Sequence, residues 1–101
     1  MARRPRTELS AILHGFTPNV YFQPPTGTML KYPCIIYKLD NIEAVHADNI
    51  AYDVNSRYEL TYITLDPDDE NRYKLAALPM CRFDRYFASD NLNHYTYTLY
   101  Y

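Results

Sequence analysis

The chain has 101 residues, 48% of them hydrophobic, with a formal net charge of −2 and 2 glycines. This length corresponds to one domain, residues 1–101, with a hydrophobic content typical of globular proteins. The charge argues against general nucleic-acid binding, the shortage of glycine excludes a glycine-rich phosphate loop, and no stretch approaches the ~20 apolar residues that cross a membrane.

The chain begins with a predicted helix over residues 7–14, because apolar residues recur there at the spacing of one helix face. These residues are Leu9, Ile12, Leu13 and Phe16. Gly15 lies where such a helix stops, and Pro18 prevents its continuation.

Runs of β-branched and aromatic residues predict the strands of the central part of the chain. The predicted strands are residues 19–23, 31–39, 42–46 and 57–65. The pair Asp40-Asn41 predicts a tight turn, which makes the second and third of these strands a hairpin. Residues 47–49 are expected to break the third strand, and residues 50–54 to form a loop.

The strongest helix start lies at Asp66, a good N-cap that is followed by Pro67 at a position where helices accept proline. The acidic residues 68–70 complement the helix dipole. This helix is predicted to run through Leu78 and to stop at Pro79. The last two strands are predicted over residues 81–87 and 94–101.

The order of the predicted elements is α-β-β-β-β-α-β-β. Strands that precede and follow one strong helix are typical of an α+β fold. We expect a mostly antiparallel twisted sheet with two helices packed on one face.

The sequence contains no recognisable catalytic, cofactor-binding or metal-binding constellation. Its three histidines, His14, His46 and His94, are far apart in sequence, and nothing indicates that they converge as metal ligands. Cys34 and Cys81 lie in predicted strands, where a buried thiol has a raised pKa and is unreactive. We therefore expect no enzyme activity, no cofactor and no metal.

Tyrosine is unusually frequent, with 12 residues, and two explanations are open. Tyrosine is a good strand former, and its amphipathic side chain also suits interfaces. In the last predicted strand, Tyr95 and Tyr97 have a spacing that would suit two stacked nucleic-acid bases, but no lysine or arginine lies beside them. A single-stranded nucleic-acid-binding module is therefore a minor alternative function.

Polar residues on the penultimate strand and in two loops are candidate interface residues, since polar loop residues often carry function. They are Arg82, Asp84 and Arg85 on the strand, Asp48 and Asn49 in one loop, and Asp90, Asn91 and Asn93 in the other. The alternative is that they form turn hydrogen bonds and local salt bridges. Strand alternation puts two sets of side chains on opposite faces. These sets are Cys81, Phe83 and Arg85, and Arg82, Asp84 and Tyr86.

Three segments resemble small proteins of tailed bacteriophages, which are called tail terminator, tail completion, minor capsid or head–tail joining proteins. They are YPCIIYKLDNIEAVHADNIAYDV, RYELTYITLDPDDENRYKLAALP and MCRFDRYFASDNLNHYTYTLYY. The likeness is carried best by the YPCIIY strand with the following ADN turn, and by the segment from Leu78 to the C-terminus.

The resemblance implies a structural virion protein of the phage neck, assembled in the host cytoplasm. The architecture of tail terminators is similar to the predicted order of helices and strands. Tail terminators form hexameric rings that cap the tail tube and dock to the head connector. The implied partners are further copies of the chain, the major tail tube protein and the head connector or head-closure protein. DNA would pass through the lumen without specific binding. Another head–tail connector protein, of the head-closure or adaptor type, is the alternative.

Overall fold

A computed structural model describes the backbone of residues 5–47 and 50–101 and the side chains of residues 5–44 and 55–101. The elements of these residues are α1 (Arg6–His14), β1 (Val20–Phe22), β2 (Cys34–Ala47), β3 (Ile50–Thr64), α2 (Asn71–Ala76), β4 (Cys81–Ser89) and β5 (Leu92–Tyr100). The strands form one sheet in the order β1-β2-β3-β5-β4, antiparallel except for the β1–β2 pair. The predicted α+β class, the mostly antiparallel sheet and the order of helices and strands are confirmed, with one strand fewer before α2 than predicted. Neither helix within these ranges has the length and apolar content needed to cross a membrane.

One detail of the strand prediction is wrong, because the strands predicted before and after Asp40 and Asn41 form a single strand, β2. Asp40 forms a β-bulge, because the pairing of β2 with β3 shifts register between Leu39 and Asn41. The Asn41 side chain accepts a hydrogen bond from the next backbone N–H at 2.9 Å, so this polar residue fits an extended strand. Residues 50–54, predicted as a loop, begin β3 because they pair with the end of β2.

The second helix is shorter than predicted and begins at Asn71, several residues after Asp66. Asp66 forms a turn instead, in which its carboxylate accepts the backbone N–H of Asp68 at 2.9 Å. The carboxylate of Asp69 then accepts the backbone N–H of Asn71 at 3.0 Å. This bond satisfies one of the donors that a helix start leaves free. The acidic run therefore organises the approach to α2 and is not part of the helix.

Both helices pack on the same face of the sheet, as predicted, and enclose one hydrophobic core. Leu9 and Leu13 of α1 and Leu75 of α2 are at most 1% exposed. The sheet contributes the alternating residues Ile35, Tyr37, Tyr58, Leu60, Tyr62, Tyr95, Tyr97 and Leu99. Five of these eight are tyrosines, so strand packing accounts for a large part of the tyrosine excess.

A hydrogen-bonded cluster ties the segment before α2 to the core. The carboxylate of Asp69 accepts the hydroxyl of Tyr62 at 2.5 Å and that of Thr64 at 3.1 Å. Burial alone raises the pKa of Asp69, but these hydrogen bonds, a backbone N–H and the nearby charge of Arg72 outweigh it, so that the pKa is lowered. Burial and the bond to Asp69 raise the pKa of Tyr62 to about 12.

The lowered pKa of Asp69 predicts an acid-sensitive contribution to stability. The ionised carboxylate stabilises the fold above its ordinary pKa of 3.8, and this contribution is lost as the pH falls through the lower folded-state value. We expect the free energy of unfolding, measured in urea from neutral pH down to about pH 2, to fall more steeply for the parent chain than for an Asp69→Asn variant. Parallel curves for the two proteins would contradict this assignment.

Candidate assembly interface

β4 is the last strand on one side of the sheet and is almost fully exposed. β5 pairs with its inner edge, and no other strand of the described residues pairs with its outer edge. Eight of its nine residues are exposed, Cys81 being half-buried. An edge strand of this kind presents unpaired backbone N–H and carbonyl groups, which are a template for pairing with another chain.

The structure brings the predicted cluster Arg82, Asp84 and Arg85 together on β4, but not with the predicted alternation. The pairing with β5 shifts register between Phe83 and Arg85, which makes Asp84 a bulge. Alternation beyond the bulge is displaced by one residue. Arg85 therefore shares the helix-free face of the sheet with Arg82, and Tyr86 shares the opposite face with Phe83. The prediction that Arg85 and Phe83 lie on one face is wrong.

The charged side chains of β4 make short-range contacts on the helix-free face. The carboxylate of Asp84 accepts the hydroxyl of Thr98 at 2.5 Å and the guanidinium of Arg82 at 3.4 Å. The guanidinium of Arg85 lies over the ring of Phe87, 5.3 Å from the ring centroid. The Arg82 side chain is 77% exposed, and such a pair adds little to stability. The guanidinium of Arg82 therefore remains largely accessible to solvent.

The polar residues before β5 have structural roles within the chain. Asp90 and Asn91 have φ values of 54° and 63°, the backbone of a two-residue hairpin turn that Asp and Asn tolerate. Asn93 accepts a hydrogen bond from the Tyr86 hydroxyl at 2.7 Å and donates one to the carbonyl of Thr64 at 3.3 Å. Turn formation and internal hydrogen bonds account for these three residues.

The candidates Asp48 and Asn49 lie outside the described residues, but β2 and β3 on either side of them form a projecting arm. The pairing of β3 with β5 stops at Arg57, whereas β2 and β3 remain paired over residues 41–47 and 50–57. We call this two-stranded part the β2–β3 arm. The molecule is accordingly elongated, with extents of 51, 27 and 22 Å. Two-stranded ribbons are marginally stable alone, so the arm would gain from a partner.

Charged side chains hold the base of the β2–β3 arm. The guanidinium of Arg57 binds the carboxylates of Asp40 at 2.9 Å and Glu43 at 3.4 Å. The hydroxyl of Tyr100 also donates to Glu43, at 3.4 Å. Two carboxylates share one guanidinium, so this part of the β2 edge is net negative. On the other face, Ile42 is 55% exposed.

The side chains with possible chemistry are those that could bind a metal ion and the thiols of Cys34 and Cys81. No three His, Cys, Asp or Glu side chains of the described ranges come together as metal ligands would. Burial raises the pKa of Cys34 to about 11. Burial, with a smaller contribution from the charge of Asp84, raises the pKa of Cys81 to about 11 as well.

Both thiols are therefore expected to be nearly inert in the folded protein. At about pH 8, a thiol with a pKa near 11 is only ~0.1% ionised, and the thiolate is the reactive form. A thiol-specific chromogenic reagent should react with Cys34 and Cys81 rapidly only after denaturant is added. Rapid labelling of the native protein at either position would show that the burial is wrong.

The tyrosines considered as a base-stacking platform lie in the core. Tyr95 is 6% exposed and Tyr97 is 0% exposed. The hydroxyl of Tyr97 donates a hydrogen bond to the carbonyl of Arg72 on α2, at 2.6 Å. Neither ring presents a free face, so this pair offers no stacking surface for bases.

Comparison with models of known protein families, with curated proteins and with solved structures finds no match for this chain. The candidate interface therefore rests on geometry, namely the outer edge of β4 and the open edge of β2 in the β2–β3 arm. Sequence reasoning found the charged residues of β4 but missed the β2 edge. The residues Asp40-Asn41 at this edge are typical of a turn. Only the order of the strands in the sheet shows that this part of β2 lies on an edge.

Proposed function

We propose that this chain is a structural virion protein of the neck of a tailed phage. It forms a ring, which is hexameric as in tail terminators. The ring caps the tail tube and joins it to the head connector. The observation that carries the proposal is that the sheet has an exposed edge strand, β4, at one end and the projecting β2–β3 arm towards the other. A ring of identical subunits needs two different, complementary surfaces on each subunit. β4 and the arm supply two such surfaces.

Two of the three segments that resemble tail terminator and tail completion proteins contain these two surfaces. The first contains β2 and the start of β3, and the last contains β4 and β5. In the proposed assembly, the major tail tube protein lies on one side of the ring and the head connector or head-closure protein on the other. The net charge of −2 suits a lumen through which DNA passes without binding.

Disruption of the gene in the phage that encodes this chain tests the neck assignment. We expect filled heads and separate tails that fail to join, because the ring would connect the two. Expression of the chain from a plasmid should restore joined particles, and mass spectrometry should detect the chain in them. Normal particles from the disrupted phage, or particles that lack the chain, would contradict the proposal.

A further inference from the structure

We infer that neighbouring subunits of the ring are joined by strand pairing, with the outer edge of β4 in one copy added to the open edge of β2 in the β2–β3 arm of the next. The occupant of each edge is therefore a second copy of this chain. This inference rests on the proposed function, since it names the contact that closes the ring.

Both edges have backbone groups to offer to an added strand. β1 pairs only with the first part of β2, and the side chain of Gln23 accepts the backbone N–H of Leu39 at 3.2 Å. From residue 40 onward, no strand of the described residues lies beside this edge of β2. The backbone N–H of Ile42 donates to the neighbouring side chain of Asn41 at 2.9 Å, a local bond that an incoming strand can replace. Strand addition of this kind derives its affinity from main-chain hydrogen bonds.

The described charges favour the pairing of β4 with β2 over the pairing of two identical edges. β4 carries Arg82, Asp84 and Arg85, a net positive set. The base of the arm carries Asp40 and Glu43, whose two charges exceed that of the arginine between them. Like charges directly opposite each other across strands are destabilising. Two β4 edges side by side would bring four arginines together, whereas β4 beside β2 brings opposite charges together.

The same pairing explains why the assembly is a ring and not a pair. β4 lies at one end of the strand order, and the open edge of β2 faces away from it. Each subunit therefore binds the previous copy with one edge and the next copy with the other. Such a head-to-tail contact closes into a ring when the rotation between subunits completes a full turn. The twist of neighbouring strands supplies a rotation of constant hand.

Cysteine cross-linking across the joined edges tests this pairing. Ile42 on β2 and Tyr86 on β4 both lie on the helix-bearing face and are 55% and 50% exposed. In a sheet continued from one subunit to the next, both positions would project from the same side. The Ile42→Cys/Tyr86→Cys variant, treated with a bifunctional maleimide that spans about two strand spacings, should give a ladder of multiples of the chain in denaturing gels. The native Cys34 and Cys81 are poor targets because of their burial.

Single variants and a matched control separate the possible outcomes. Ile42→Cys alone and Tyr86→Cys alone should give no ladder, and a covalent dimer from Tyr86→Cys alone would overturn the inference in favour of β4–β4 pairing. The control is Ile42→Cys/Leu65→Cys, because Leu65 is 64% exposed beyond the end of the central strand β3. It should give at least about tenfold less product, which corresponds to ~1.4 kcal/mol in an equilibrium.

Native mass spectrometry of the same samples distinguishes failure of this inference from failure of the proposed function. A ring in native mass spectra without a ladder in denaturing gels would overturn the β4–β2 pairing but not the proposal that the chain forms a ring. The absence of any oligomer, both alone and in the presence of tail tubes of the same phage, would overturn both.

Discussion

Replacement of Leu75 by alanine is expected to lower the free energy of unfolding by about 2–5 kcal/mol. Leu75 is the buried side chain of α2, 0% exposed, and belongs to the core that the sheet forms with α1. α2 has only six residues, and a helix of this length is not stable without tertiary packing. The variant therefore loses both the contacts of the leucine and the anchor of the helix. Urea unfolding followed by circular dichroism measures the change.

Lys74→Ala is the matched control, since Lys74 is the exposed neighbour of Leu75 on the same helix. Its effect should stay within about 0.5 kcal/mol, as for most surface substitutions. If both variants were as stable as the parent chain, Leu75 would not anchor α2, and the packing of this helix on the sheet would be wrong.

The Arg82→Glu/Arg85→Glu variant is expected to lose ring assembly while keeping the fold. Both arginines are exposed on β4, so their replacement removes little that the monomer needs. Their reversal puts negative side chains next to the net negative base of the β2–β3 arm of the following subunit. Like charges that face each other across an interface cost several kcal/mol. The concentration at which half of the chains are assembled should rise by at least about tenfold, since ~1.4 kcal/mol already gives that factor. Sedimentation over a concentration series measures it.

The control for this variant makes the same change in net charge elsewhere on the surface. Lys31 and Lys74 are exposed and lie outside β4 and β2, so Lys31→Glu/Lys74→Glu should assemble like the parent chain. Equal loss of assembly in both variants would mean that net charge, and not β4, controls association. Unchanged assembly of the arginine variant would exclude β4 as the contact. Thermal unfolding of all three proteins shows whether the fold is kept.

The parts of the fold that depend on local pattern could be predicted from the sequence. The spacing of Leu9, Ile12, Leu13 and Phe16 predicted one apolar face for α1. Leu9 and Leu13 are core residues and Phe16 packs against the core, whereas Ile12 is 39% exposed. The alternation of Tyr95, Tyr97 and Leu99 in β5 likewise predicted one face, and all three lie in the core. In both elements the period of the apolar residues carries the information, and no distant partner changes it.

The features that could not be predicted depend on pairing with another strand. Asp40-Asn41 has the composition of a turn, yet its register with β3 turns Asp40 into a bulge of a long strand. Asp84 is a bulge in β4 for the same reason, which moves Arg85 to the other face. A bulge is set by the register between two strands, and one strand's sequence does not carry that register.

The candidate interface also combines a feature that the sequence shows with features that depend on strand pairing. The charges of β4 are visible in the sequence, but their position on an outer edge is a consequence of the order β1-β2-β3-β5-β4. The open edge of β2 arises because β1 is only three residues long and covers only the first part of β2. Neither property can be read from the residues of the edge itself.

Native mass spectrometry of the purified full chain over a wide range of concentrations, alone and with tail tubes of the same phage, tests most directly whether this protein works by ring assembly. We expect one closed oligomer of defined stoichiometry, with six copies if the resemblance to tail terminators holds. It should dissociate at high salt, because opposite charges contribute to the contact. A chain that stays monomeric under all these conditions, including in the presence of tail tubes, would contradict it.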